Sequence, residues 1–447
     1  MKSVCISSLA ALIFLSGCGF LTTEKEIEKF GPPREERYPM TDALVKVVWE
    51  NDAFTLYRDD APYYIKGAGT WGPHADTITS HGGNSMRTWS FFKEELDNAA
   101  AAGVTIALGL TIGREKYGFD YGDAAAVEAQ FEECREVVRT WKDHPNLLIW
   151  AIGNELENDY TDHSVWDAVG DIAKMIHEED PNHPTMAVIG SATPELIREL
   201  TEAAPDMDIL GINSYRNIGE IADIVRESVW NGPYIITEWG ANDYWTYPGT
   251  DFTSWYAPVE PPSSLVKDAF IEHWGSITAD SQLCLGSYVF FWNNKFETSP
   301  TWFSMYMETN AAMGLSGESA ESVDATQFCW TGHWPENRAP SVTGMTLNGL
   351  NGVDSVTVEP GASCAALVTA SDRENDSLEY SWEIVSTMTV SGIDAHDGRP
   401  DSLYMAYTSV PALGFSAPDA PGYYRICVYV LDGQGHAGTA NIPFCVE

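Results

Sequence analysis

Between residues 63 and 330, short apolar runs alternate with stretches whose apolar positions recur at helical spacing. Eight runs read as strands, at 63–69, 85–89, 104–110, 147–152, 185–189, 208–213, 234–237 and 286–291. Between the third and fourth, 124–142 places Phe131, Cys134, Val138 and Trp141 on one helical stripe. Between the fourth and fifth, 165–179 repeats the pattern and is closed by Pro181. A strand followed by a helical stretch, repeated this way, predicts a closed parallel (β/α)8 barrel, a TIM barrel. An open doubly wound sheet would bring a glycine-rich first turn, which is absent. Residues 44–60 alternate like a hairpin with Asn51-Asp52 at the turn, and are expected to cap the barrel's bottom.

The periodicity changes near Pro335-Glu336-Asn337-Arg338-Ala339-Pro340. Beyond it only short strands and turns follow, at 364–369, 378–384, 423–431 and 439–444. Tyr423, Arg425, Cys427 and Tyr429 alternate with Tyr424, Ile426, Val428 and Val430, as a strand in an all-β sandwich should. The Pro421-Gly422-Tyr423 start, the turn from Asp432 to Gly435 and the acidic loop from Ser371 to Asp376 resemble Ig-like and PKD-like modules appended to secreted glycanases. Asp372, Glu374, Asp376 and Asp432 are a conceivable structural calcium set, but acidic turns facing water are the favoured reading. No other metal and no cofactor is expected.

The start of the chain carries a different signal. Lys2, an apolar run from Val4 to Leu15 and the ending Leu15-Ser16-Gly17-Cys18 read as an export signal too short to span a bilayer. The ending resembles a bacterial lipobox, which implies cleavage before Cys18, acylation of that residue and anchoring to a lipid bilayer. The expected layout is therefore a signal peptide at 1–17, a tether at 18–40, the barrel with its hairpin at 41–334 and the sandwich at 335–447. The location implied is an exported lipoprotein, periplasmic or on the cell surface. Of eight cysteines, six remain after Cys5 and Cys18, and their pairing is left open. Acidic residues outnumber basic ones 65 to 25, a field that opposes nucleic acid and polyanionic glycans and leaves neutral partners.

Catalytic groups of such barrels sit at the C-terminal ends of strands. The fourth strand ends Ile152-Gly153-Asn154-Glu155 and the seventh ends Thr237-Glu238-Trp239-Gly240. Two carboxyls so placed suit glycosidic cleavage, in which one protonates the leaving oxygen while the other attacks or activates water. These motifs resemble those of clan A glycoside hydrolases over roughly residues 60–310. The resemblance implies retention, with Glu155 as acid/base and Glu238 as nucleophile. It also implies substrate-site roles for Arg87, which holds the nucleophile ionised, Asn154 on the sugar 2-hydroxyl, Tyr215 against the nucleophile, and Trp292 beneath the sugar. Glu157 reads as a loop contact, and Glu297 as the only other acid to watch.

Residues 239–256 carry Trp239, Tyr244, Trp245, Tyr247, Phe252, Trp255 and Tyr256, rings that can stack on sugar faces; Trp239 and Trp245 are the foremost candidates. The run from Trp292 to Phe303 and the two-domain plan are most similar to glycoside hydrolase family 158, which implies endo-β-1,3-glucanase activity on a neutral β-glucan. A β-mannanase or a transglycosylase on the same barrel, and a non-catalytic glycan-binding lipoprotein, remain alternatives.

Overall fold

The computed structural model describes residues 43–158, 160–246, 248–386 and 399–447. The signal, the tether, Cys18 and Tyr247 lie outside the described residues.

Eight parallel strands close into a barrel: β1 (Ile65–Gly69), β2 (Ser85–Arg87), β3 (Thr105–Leu110), β4 (Leu147–Ile152), β5 (Thr185–Ile189), β6 (Ile209–Asn213), β7 (Tyr234–Trp239) and β8 (Cys284–Val289). Most are apolar runs because both faces are covered, one by the barrel interior and one by helices, whereas β2 (Ser85-Met86-Arg87) buries polar groups. The helices are α1 (Lys93–Ala102), α2 (Ala124–Trp141), α3 (Ser164–Glu179), α4 (Pro194–Ala203), α5 (Ile221–Glu227), α6 (Ser263–Ala279) and α7 (Glu321–Thr331). Local chemistry fixes several of their starts. Asp123 caps α2 by accepting from the Ala125 and Ala126 amides, and Thr193 caps α4, whose first residue is proline. Cys134 and Val138 turn inward from α2, as the helical stripe predicts.

The hairpin pairs Val45–Glu50 with Ala53–Arg58 across Asn51 and Asp52, both left-handed, as a two-residue hairpin turn requires. Val45 donates to the Asn182 carbonyl and Phe54 to the Gln282 carbonyl, groups that precede β5 and β8. Val45 and Leu56 then bury in one cluster with Ile65, Ile149, Ile235 and Tyr288, so the hairpin closes the barrel floor.

The C-terminal strands are β9 (Ser341–Leu347), β10 (Ser363–Ser371), β11 (Glu379–Ser386), β12 (Ser402–Thr408), β13 (Ala412–Ser416), β14 (Gly422–Leu431) and β15 (His436–Val446). One sheet runs β9-β10-β13, and the other runs β15-β14-β11-β12. Val342, Val368, Trp382, Ile426, Val428 and Phe444 fill the space between them. Two short strands join β15 in parallel: Val356–Val358, and Ser319–Ala320 from the barrel side of the sequence boundary. The alternation along β14 holds, but its second face does not meet solvent. Cys427 and Tyr429 pack on Met307, Met313 and Leu315, which belong to the long segment after β8.

All six described cysteines are free thiols. Asp432 accepts from the His436 ring and from the Gln434 and His436 amides, while Asp372 accepts from the Asp376 amide. Among the described residues, no group of three or more His, Cys, Asp or Glu is arranged to hold a metal ion.

Candidate active site

The barrel mouth is built around a buried arginine. Arg87, at the end of β2, is fully buried and points across the barrel. Its Nη1 donates to the Thr237 carbonyl (2.9 Å) and to Glu238 Oε1 (3.1 Å), and its Nη2 donates to Asn154 Oδ1 (2.6 Å). Glu238, on β7, receives two more donors: Trp89 Nε1 on Oε1 (2.5 Å) and the Tyr215 hydroxyl on Oε2 (2.9 Å). Burial, then the Glu238 charge, holds the Tyr215 phenol well above its ordinary pKa, so it remains a donor. Both carboxylate oxygens are thus fixed in direction by charge-assisted bonds.

Glu155 has a contrasting setting. The chain leaves β4 through Gly153 (φ 72°) and then Glu155 itself (φ 50°), a left-handed conformation uncommon for a residue with a side chain. Its amide donates to the Val188 carbonyl, and its carboxyl accepts from Asn213 Nδ2 (2.7 Å) and Asn158 Nδ2 (2.9 Å). Burial first, and the nearby Glu238 charge second, push its pKa up to about 7. Space for the carboxyl comes from Gly190, where a Cβ would stand 2.7 Å from Glu155 Oε1.

Asn154 and Asn213 tie the two acids together. Asn154 Oδ1 accepts from Arg87 and from Asn213 Nδ2 (3.2 Å), while Asn213 Oδ1 accepts from the Thr237 hydroxyl (2.8 Å). The structure therefore brings Arg87, Asn154, Glu155, Tyr215 and Glu238 into one network.

Two predicted aromatics are elsewhere. Trp239 is fully buried against Phe270 and Trp274 of α6, on the helix side of the barrel. Glu238 faces the interior, so its neighbour on the strand must face outward. Trp292 is also fully buried; it stacks on Trp330 of α7, and its Nε1 donates to the His74 carbonyl and the Thr77 hydroxyl. Neither ring is open to a sugar. Trp245 is: it is 53% exposed and packs edge-on to Tyr215 at 5.6 Å. The rest of its loop divides, because Trp255 stacks on Tyr423 of the sandwich.

Sequence reasoning missed Trp89, Asn213 and Trp71. Trp71 is 45% exposed and meets Trp89 edge-on at 4.8 Å. Each oxygen of Glu238 thus leads through one ring to an exposed tryptophan, through Trp89 to Trp71 and through Tyr215 to Trp245. The signal for Trp89 was its spacing of two from Arg87, which puts both on one side of the chain. Phe290 occupies the space between, touching Trp89, Tyr215 and Phe303. Glu157 accepts from the Gly190 and Ser191 amides, a loop contact.

No family model matches the chain, and no curated protein matches it. Solved structures similar to it include a β-glucuronidase from Ruminococcus gnavus, at 14% identity over 64% of this chain and 52% of that one, TM-score 0.47. An FMN-binding β-glucuronidase from Facaelibacterium prausnitzii L2-6 matches at 12% identity over 90% of this chain and 58% of that one, TM-score 0.47. A glycoside hydrolase family 5 mannosidase from Rhizomucor miehei matches at 15% identity over 64% and 97%, TM-score 0.44. The chain spans about half the length of the first two. Likenesses this distant leave the chemistry to be read from the site itself.

Proposed function

We propose that the chain is a retaining glycoside hydrolase acting on a neutral β-linked glucan, with Glu238 as nucleophile and Glu155 as acid/base. The observation that carries this reading is the contrast between the two carboxyls. Glu238 is gripped by Arg87, Trp89 and Tyr215, whereas Glu155 has its proton affinity raised to about 7. An attacking carboxylate needs fixed orientation, and a proton donor needs a pKa near the working pH. When the glycosyl–Glu238 ester forms, the negative charge beside Glu155 disappears. Glu155 has by then passed its proton to the leaving oxygen, and with that charge gone it stays ionised and can take a proton from the water that cleaves the ester.

Internal cleavage of β-1,3-glucan is the activity implied by the likeness to glycoside hydrolase family 158, and exposed rings on both sides of Glu238 suit a chain lying across the mouth. Export and acylation at Cys18 complete the proposal; replacing Cys18 by Ser should release the protein from membranes, and continued membrane fractionation would refute the anchor.

Leaving-group chemistry tests the central assignment. Glu155→Ala should fail on glycans but still react with aryl β-glucosides whose leaving groups need no proton. Azide should then restore turnover and yield the β-glycosyl azide. An α-glycosyl azide would mean inversion, and rescue of a Glu238 variant instead would exchange the two roles.

A further inference from the structure

A third carboxyl stands close to Glu238. The segment after β8 turns back at Thr298 (φ 59°), where the Glu297 amide donates to the Ser299 carbonyl at 3.0 Å. This turn holds Lys295 and Glu297 at the mouth. Glu297 Oε1 accepts from the Tyr244 hydroxyl (3.2 Å); Tyr244 packs on Trp245 (4.9 Å), and Trp245 packs on Tyr215, the phenol bonded to Glu238. Glu297 lies within electrostatic reach of Glu238; burial raises its pKa, Lys295 and the Tyr244 hydroxyl oppose that rise, and the Glu238 charge adds a smaller push upward.

The fold does not require a charge here. The segment is fastened through other residues: Ser304 holds the backbone of Lys295 from both sides, and Ser299 and Thr301 donate to the buried Glu260. Lys295 and Glu297 form an ion pair that is left partly open. Lys295 Nζ and Glu297 Oε2 stand 3.7 Å apart, beyond hydrogen-bond length, and their side chains keep 19% and 13% of their exposure. Lys295 and Tyr244 offset the repulsion between the two carboxylates, and a charged pair kept partly open at the mouth is placed to meet a ligand.

We propose that Lys295 and Glu297 are a sugar-orienting pair: Glu297 Oε2 accepts hydroxyl hydrogen bonds from the pyranose ring presented to Glu238, and Lys295 Nζ donates to a neighbouring hydroxyl oxygen. The ligand class is a neutral pyranose with adjacent free hydroxyls. This inference rests on the hydrolase reading and adds specificity-determining residues to it.

Binding to an inactivated enzyme separates the two. Neutral β-linked hexasaccharides (β-1,3-gluco, β-1,4-gluco and β-1,4-manno) are titrated calorimetrically into the full-length Glu238→Gln protein and into the same protein carrying Glu297→Gln or Lys295→Met. Each second substitution should weaken binding of whichever hexasaccharide the parent takes by roughly tenfold or more, as loss of a charge-assisted hydrogen bond does. Affinities within twofold of the parent for both variants overturn the pair and leave the hydrolase standing. A parent that binds none of the three overturns both readings. If Glu297→Gln does not fold, Glu297→Asp, which keeps the charge but withdraws it by one methylene, must show the same loss.

Discussion

Two of the described arginines are fully buried, Arg87 at the barrel mouth and Arg425 where the sandwich meets the barrel. Each stands beside a glutamate and an asparagine. Arg425 donates to Asn441 Oδ1 and, across the interface, to the Pro258 carbonyl (2.8 Å). Asn441 in turn donates to Glu260 Oε2 (2.6 Å), whose other oxygen accepts from Thr301 (2.7 Å). The components match those around Arg87; the surroundings do not. At the interface the sandwich covers the network, and the donors hold two loops of the barrel in place. At the mouth the network ends in a half-open acid and two exposed tryptophans. The same buried polar chemistry is a fastening when closed and a reaction centre when one side is left open.

The largest effect expected on this contrast is at the open network. Glu238→Gln keeps the shape and removes the nucleophile, so turnover should drop by about 10⁴-fold or more on every substrate whatever its leaving group. A variant that loses natural glycans but keeps activated aryl glycosides would show that Glu238 is not the attacking group.

At the closed network the loss should appear in stability instead. Arg425→Met leaves Glu260 buried without its cation and should cost about 3–5 kcal/mol in urea unfolding. Because Glu260 also holds Ser299 and Thr301, a C-terminal truncation after Trp334 is expected to lose glycan turnover as well as solubility. A soluble, fully active truncation would reduce the interface to a simple contact.

Gly190→Ala probes the space around the acid. The added Cβ would meet the Glu155 carboxyl at 2.7–2.9 Å, and displacing it by a fraction of an ångström should lower kcat on natural glycans by about 10- to 100-fold. Activated aryl glycosides should be affected far less, and equal losses on both would mean a general disturbance.

The smallest change concerns pH. Glu155 must be protonated to donate, so kcat/KM should fall as pH rises through about 7. The Asn213 bond favours the ionised form of Glu155. Its removal in Asn213→Ala raises the acid's pKa, so the alkaline limb should move to higher pH. A limb that stays in place or moves to lower pH would show that another group sets it.

Much of this plan is legible in the sequence because most barrel strands are buried on both faces and read as apolar runs. The 147–152 and 185–189 runs match β4 and β5 residue for residue. Glu155 and Glu238 are legible because strand ends supply them, whereas Arg87, Asn154 and Tyr215 come from the resemblance to clan A. Trp239 was misassigned although strand alternation from Glu238 already directs it to the helices. Trp292 lies past the end of β8, where alternation no longer determines direction and contacts with His74, Thr77 and Trp330 decide. The destination of Trp255 depends on Tyr423, 168 positions along the chain and in the other domain. No local pattern encodes a contact of that range.

The free thiols have a consequence for how the chain can be made. Burial pushes Cys134, Cys284 and Cys329 up to about 12 and raises Cys364, Cys427 and Cys445 as well. A thiol with a pKa near 12 is ionised to only about one part in 10⁵ at neutral pH, and the thiolate is the species that oxidises or exchanges. In the folded chain the Cys134, Cys284 and Cys329 thiols are therefore poor nucleophiles, slow to oxidise or exchange. The unfolded chain lacks that shelter, because its exposed thiols return to an ordinary pKa of about 8.5, so refolding from denaturant should give a higher yield with a reducing agent than without one.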